Sequence, residues 1–249
     1  MNATNPIILI PARLGATRLP NKPMADIHGQ PMIVHVWRRA CESKAGRVVV
    51  AAGEQQIVDA ILAAGGEAVL TDPALASGSD RIAQALKALD PRQLHDFVIN
   101  LQGDLPTVPP QLIGAVQLPM ADPAVDISTL VTQITRPEEI TDPNVVKAVI
   151  AFPAKQNGSL NIGRALYFSR AAVPAGDGPY YHHIGIYAYR RSALERFVTL
   201  KPSVLELRER LEQLRAMEAG MNIAAVCVDT MPLGVDTPAD LERARQALA

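Results

Sequence analysis

The 249-residue chain is poor in cysteine and aromatic rings: two cysteines, four phenylalanines, one tryptophan and five tyrosines. Two cysteines exclude a disulfide framework, and Cys41 and Cys227 fall in helix-like and strand-like patterns that suit buried thiols in a reducing, cytoplasmic compartment. No apolar run approaches the roughly 20 residues that span a bilayer, and the N-terminus lacks the basic and apolar regions of a secretory leader. A net charge of −1 excludes the broad basic field of a nucleic-acid or anionic-membrane surface. The Gly-x-Gly-x-x-Gly turn is missing after the first strand-like run, and no segment ends in the Gly-Lys-Ser/Thr of a P-loop. Neither a repeat nor a low-complexity tract is present, and no Ser, Cys or His nucleophile stands out with a partner base. Present instead are 48% hydrophobic and 20% charged residues, ample for a globular core.

Strand-like runs at Ile7–Pro11, Arg47–Ala51, Ala68–Leu70 and Phe97–Leu101 alternate with helix-like stretches at Met32–Cys41, Gln55–Ala64 and Asp80–Leu89. This rhythm predicts an α/β fold with a doubly wound, mostly parallel sheet, whose ligands gather at the carboxyl ends where strand order reverses. From about 126 to 189 the pattern turns to strands and loops, at Ile127–Ile134, Val145–Phe152 and Ala165–Ser169, read as a mainly β insertion within one domain spanning 1–249. Helices are expected at Ser192–Thr199, Val204–Ala219 and Pro238–Leu248, with a strand at Ile223–Asp229.

Directly after the first strand come Arg13, Arg18 and Lys22, in a turn rich in small residues and proline. Guanidinium groups grip phosphate oxygens with a planar fork and lysine acts as a movable point charge, so the mixture suits a polyphosphate. An ordinary solvated loop is the competing explanation. Gln102-Gly103-Asp104 follows the fourth strand; if strand order reverses beside the first strand, this turn faces the same crevice. Asp104 and Asp236 are hard oxygen donors of the kind Mg²⁺ takes one or two at a time. Asp104 could equally be a turn aspartate, and Asp236 could favour the start of the last helix, where Thr237-Pro238-Ala239-Asp240 forms a capping box.

The segment Ile10-Pro11-Ala12-Arg13, followed by Thr17-Arg18-Leu19-Pro20-Asn21-Lys22-Pro23, resembles the opening of the cytidylyltransferases that activate acidic sugars, most closely the 3-deoxy-manno-octulosonate (Kdo) cytidylyltransferases. The resemblance continues through Ser77-Gly78-Ser79-Asp80-Arg81, Gln102-Gly103-Asp104, Tyr167-Phe168-Ser169-Arg170, His183-Ile184-Gly185-Ile186-Tyr187, Leu211-Glu212-Gln213-Leu214-Arg215 and Gly234-Val235-Asp236-Thr237-Pro238. Six motifs in the family's order cover nearly the whole chain. Departures are Leu105, where many relatives carry Glu, Ala16 in place of Ser, and an unmatched stretch from Phe152 to Leu166.

The resemblance implies a Rossmann-like nucleotidyltransferase scaffold, related to the GT-A type, whose β insertion builds a homodimer. It implies transfer of CMP from CTP to the anomeric hydroxyl of Kdo, with loss of pyrophosphate, in lipopolysaccharide biosynthesis. It assigns Pro11, Ala12, Arg13, Arg18, Lys22, Ser77, Gly78, Arg81 and Gln102 to the nucleotide. Mg²⁺ goes to Asp104 and Asp236, which with Arg13 and Lys22 form the catalytic set. The Kdo-binding set is Gln102, Arg170, His183, Tyr187, Glu212 and Gln213. Read from the residues alone, Tyr181–Tyr189 is a strand with His183, Gly185, Tyr187 and Tyr189 on one face, so the adjacent His182 and His183 point apart and make a poor zinc site. A tyrosine-rich subunit interface is the other reading of this segment, and a surface ion-pair row with Arg208 and Arg215 is the other reading of Glu212. Two further functions stay open: a synthetase for sialic or another nonulosonic acid, and a non-catalytic nucleotide-sugar-binding protein on the same scaffold.

Overall fold

The computed structural model describes residues 5–15, 19–153 and 161–249. In chain order it runs β1 (Pro6–Ala12), β2 (Asp26–Ile27), β3 (Gln30–Pro31), α1 (Met32–Glu42), β4 (Arg47–Ala52), α2 (Gln55–Ala63), β5 (Ala68–Leu70), α3 (Gly78–Leu89), β6 (Phe97–Asn100) and α4 (Pro110–Ala115). There follow β7 (Ile127–Gln133), α5 (Glu138–Thr141), β8 (Lys147–Ala151), β9 (Asn161–Ser169), β10 (Tyr181–Arg190), α6 (Arg191–Thr199), α7 (Val204–Glu209), α8 (Gln213–Glu218), β11 (Ile223–Cys227) and α9 (Pro238–Ala247). The chain divides into two compact units, residues 1–114 with 232–249, and residues 115–231. The second unit is longer than the 126–189 segment marked by the change of sequence rhythm, because β11 from beyond that segment pairs with β7 and β9.

In the first unit β1 lies between β4 and β6, parallel to both, and β4 carries β5 on its far side. The apolar runs explain the strands: Ile7, Ile8, Leu9 and Ile10 are fully buried, as expected for a parallel strand covered on both faces. Helix α1 buries Met32, Ile33, Val34, Val36 and Ala40 along one stripe, and Ser77 caps α3 by accepting from the Asp80 amide. From β1 the chain moves outward through β4 to β5, then returns to place β6 on the opposite side of β1. Strand order therefore reverses between β1 and β6, where the sequence pattern expects a ligand crevice. Gly103 permits the close approach there, since a Cβ at that position would stand 2.8 Å from the Pro11 carbonyl oxygen.

The second unit is a mixed sheet. Strand β7 pairs antiparallel with β10 and parallel with β11, β11 runs antiparallel to β9, and β9 antiparallel to β8. A single bridge between His182 and Lys147 links β8 back to β10, so the strands curl on themselves. One expectation fails: the helix foreseen over Val204–Ala219 is two short helices. Arg210 takes a left-handed conformation, φ 56°, as the C-cap of α7, and α8 starts afresh at Gln213. The amphipathic count could not reveal this break because tertiary contacts impose it. Glu209, at the end of α7, is drawn to β9, accepting from Ser169 Oγ at 2.8 Å and from the Arg170 amide at 3.0 Å.

Candidate active site

The carboxyl ends of β1 and β6, the start of α3 and the segment before α9 enclose a pocket of about 400 Å³ in the first unit. Pro11 and Ala12 enter it from the end of β1 and Arg13 from just beyond, Ser77 from the N-cap of α3 with Gly78 and Arg81 behind it, Gln102 and Asp104 from the loop after β6, and Lys22 and Asp236 complete the lining. The structure thus gathers there every described first-unit residue that the sequence reading singled out; Arg18 lies outside the described residues.

Lys22 is the pivot. Its ammonium donates to Asp104 Oδ2 at 2.9 Å and to Asp236 Oδ1 at 3.0 Å, joining positions 82 and 214 residues away in sequence. Burial is the largest single influence on Lys22 and pulls its pKa down. The two carboxylates together outweigh that and hold it above the usual lysine value, so the ammonium stays charged. The carboxylates remain accessible, with side chains 32% and 47% exposed. Helix capping does not explain Asp236. Thr237 supplies the cap by accepting from the Asp240 amide, while the Asp236 side chain turns to Lys22. Two hard oxygen donors already gathered round one cation fit a divalent ion that completes its shell with water and phosphate oxygens. Among the described residues no group of three His, Cys, Asp or Glu side chains is placed to hold a metal by itself.

Arg81 forms the pocket's second cationic element and is only 2% exposed. Its Nη1 donates to Thr71 Oγ1 and, at 3.2 Å, to the Asp72 carbonyl, whereas buried Nη2 has no hydrogen-bond partner among the described residues. A buried guanidinium nitrogen at a pocket wall is a donor awaiting an acceptor. Three supports escaped sequence reasoning. Thr71 and the Asp72 carbonyl orient Arg81, and Glu54 fastens the β1 loop by accepting from the Leu14 amide at 2.9 Å. Thr71 and Asp72 follow β5 and Glu54 precedes α2, with no shared motif, so no local signal marked them.

The second unit holds the remaining candidates. His183 packs between Phe168, ring centroids 4.9 Å apart, and Tyr187, 5.5 Å apart. The register of β10 against β7 shifts between Ile184 and Tyr187, leaving Gly185 and Ile186 as an insertion. Because the insertion is an even number of residues, His183 and Tyr187 keep the common face that simple alternation predicts. Burial pushes the His183 pKa down to about 3, so the ring is neutral near pH 7. Burial, with Tyr189 and Glu212 nearby, raises the Tyr187 hydroxyl well above its usual value and keeps it a donor.

Gln213 is 7% exposed, and its Nε2 has no hydrogen-bond partner among the described residues. Glu212 lies 3.8 Å from Arg215 Nη2, but Arg215 is gripped mainly by Glu206, through Nε at 2.7 Å and Nη2 at 2.5 Å. Of the expected ion-pair row the Glu212–Arg215 pairing is kept, while the break at Arg210 resets the helix phase and gives Arg215 a nearer partner in Glu206. Arg170 is committed to backbone. Its Nε donates to the Glu209 carbonyl at 3.0 Å and Nη1 to the Pro143 carbonyl at 2.8 Å, an arrangement that sequence spacing could not disclose.

A parallel sheet with cations and paired carboxylates at its reversal point defines the class: an α/β protein built to handle a phosphorylated ligand. The chain belongs to the cytidylyltransferase family, whose model matches residues 7–223. Its relatives narrow this further. A 3-deoxy-manno-octulosonate cytidylyltransferase of Paramagnetospirillum magneticum is 61% identical over 248 residues, covering 100% of this chain and 99% of its own. Another of the same name, from Methylobacterium nodulans, is also 61% identical and covers 99% and 98%. Among solved structures, a CMP:2-keto-3-deoxy-manno-octonic acid synthetase complexed with CTP superposes with a TM-score of 0.89 at 39% identity, over 98% of both chains. A cytidylyltransferase from Leptospira borgpetersenii, 16% identical with a TM-score of 0.61 over 97% of this chain and 85% of its own, shares the fold.

Proposed function

We propose that this protein transfers CMP from CTP to the anomeric hydroxyl of 3-deoxy-manno-octulosonate, forming CMP-Kdo and pyrophosphate, with Asp104 and Asp236 holding Mg²⁺. The observation that carries the reading is the junction of Lys22 with Asp104 and Asp236 at a pocket also lined by Arg13 and Arg81, in a chain 61% identical to enzymes of that name. When bound, the ion supplies charge neutralisation at the phosphates and lowers the pKa of the attacking hydroxyl.

The chain's own residues do the rest by position and charge. Arg13 and Lys22 neutralise the triphosphate, Arg81 Nη2 donates to the nucleotide, and Ser77 and Gly78 leave the start of α3 open to its approach. His183, Tyr187, Glu212 and Gln213 orient the sugar acid. Arg170 supports them through backbone contacts. The hydroxyl oxygen bonds to the α-phosphorus as the bond to pyrophosphate breaks, and the hydroxyl proton leaves to solvent. No covalent enzyme intermediate is required. A homodimer and a cytoplasmic location complete the proposal; Cys41 is exposed and Cys227 half-buried rather than buried as expected, but both are free thiols, which suits a reducing milieu, and sedimentation of the purified chain tests the dimer.

The deciding measurement is pyrophosphate release with each nucleoside triphosphate against Kdo and sialic acid, with and without Mg²⁺. Turnover confined to CTP, Kdo and Mg²⁺ is the expected result. Preference for sialic acid would reassign the acceptor, and silence in every combination would leave a binding protein.

A further inference from the structure

Thr129 lies on β7, fully buried, opposite the two-residue insertion in β10. Its Oγ1 sits 2.9 Å from the Ile186 carbonyl oxygen, 3.1 Å from the Ile184 carbonyl oxygen and 3.0 Å from His183 Nε2. A hydroxyl has one proton, and carbonyl oxygens only accept. The insertion shifts the β7–β10 register at these residues, and the Thr129 hydroxyl supplies their carbonyls with a side-chain donor. Were that proton aimed at Nε2 instead, two carbonyl oxygens would face the lone pairs of a buried hydroxyl with no hydrogen between them. The proton therefore points to the carbonyls, and the hydroxyl oxygen must accept from the ring.

We propose that Thr129 is a positioning residue that fixes His183 as the neutral Nε2–H tautomer, leaving Nδ1 as an acceptor for a hydroxyl of the acceptor sugar. The inference rests on the reading above that His183 meets the sugar acid. Among the described residues nothing hydrogen-bonds Nδ1, and the ring packs edge-on against Phe168 and at a tilt against Tyr187. Burial keeps the ring singly protonated at neutral pH, so tautomer rather than charge is the variable. The insertion and the histidine are thus one device: the backbone irregularity consumes the threonine proton, and that consumption dictates which ring nitrogen carries hydrogen.

Nitrogen NMR of the histidine-labelled full-length protein reads the tautomer directly. The expected result is Nε2–H at His183 in the wild type, loss of that signature in Thr129→Val, and its return in Thr129→Ser, which keeps the hydroxyl. In steady-state assays Thr129→Val should raise KM for the sugar acid about ten-fold or more, with KM for CTP within about two-fold, and Thr129→Ser should restore most of the difference. An Nδ1–H tautomer in the wild type overturns the inference even if the valine variant does not fold. So does an unchanged tautomer in a folded Thr129→Val, or a changed tautomer with unaltered sugar KM. Failure of the function reading shows separately, as wild-type protein that turns over no sugar acid while its His183 tautomer remains measurable.

Discussion

At the scale of single residues, the first unit turns on one ammonium shared by two carboxylates. Removing either carboxylate removes a proposed metal ligand while leaving the core untouched. Asp104→Asn should lower kcat at least about a thousand-fold yet shift unfolding free energy by no more than about 1 kcal/mol, as for a partly exposed ion pair. Pyrophosphate release and urea denaturation test both, and undiminished turnover would remove Asp104 from the metal site. Lys22→Ala does something different, because it removes the ammonium that Asp104 and Asp236 share. Added Mg²⁺ should then raise the melting temperature of Lys22→Ala, without nucleotide, more than that of the wild type, while KM for CTP rises. An unchanged CTP dependence would return the basic loop to an ordinary surface role. Residue types and spacing made these three side chains legible in sequence. Their contact was not legible, since 82 and 214 intervening residues separate the partners of Lys22.

At the scale of elements, the boundaries of β1, β4, β5, α2 and α6 follow the hydrophobic pattern closely, and the Thr237 capping box is read correctly because its signal is local. Two features escape a local reading: the break between α7 and α8 and the insertion in β10. Glu209 is the fastener at the first. Its carboxylate takes hydrogen bonds from Ser169 Oγ, the Arg170 amide and, at 3.4 Å, Tyr167 Oη. Burial, the largest influence, raises its pKa, but these bonds together outweigh it and hold the group below the ordinary carboxylate value. Glu209→Ala should destabilise the protein by about 2–3 kcal/mol, and urea titration checks it. His183 governs an acid response. Its folded pKa of about 3 lies below the ordinary histidine value of 6.5, so between those limits the unfolded chain binds more protons and stability falls as pH falls. The slope from this one group approaches about 1.4 kcal/mol per pH unit. His183→Gln should flatten that limb when urea midpoints are followed from pH 6.5 down to 3.

At the scale of the whole molecule, the first unit is discontinuous, because residues 232–249 return to it after the second unit is complete. Their return brings Val235, Leu241 and Ala244 against Ile27 and Met32 in a small core and sets Asp236 beside Lys22. Truncation after Met231 should therefore abolish the thermal shift produced by saturating CTP, which at a hundred times Kd is worth about 2.7 kcal/mol in the intact protein. A preserved shift would show that the returning segment is dispensable for nucleotide binding. None of the described helices is long and apolar enough to cross a membrane. By itself the sequence determined the α/β class, most strand and helix positions and the family, because hydrophobic period, local caps and short motifs are properties of neighbouring residues. Tertiary structure alone decided that Lys22 clasps Asp104 and Asp236, that Arg81 is buried with one nitrogen to spare, that Arg170 is tied to backbone carbonyls, and that Thr129 reaches His183 across the insertion in β10. Each of those contacts joins residues distant in the chain, where no pattern of neighbours carries information about which side chains meet.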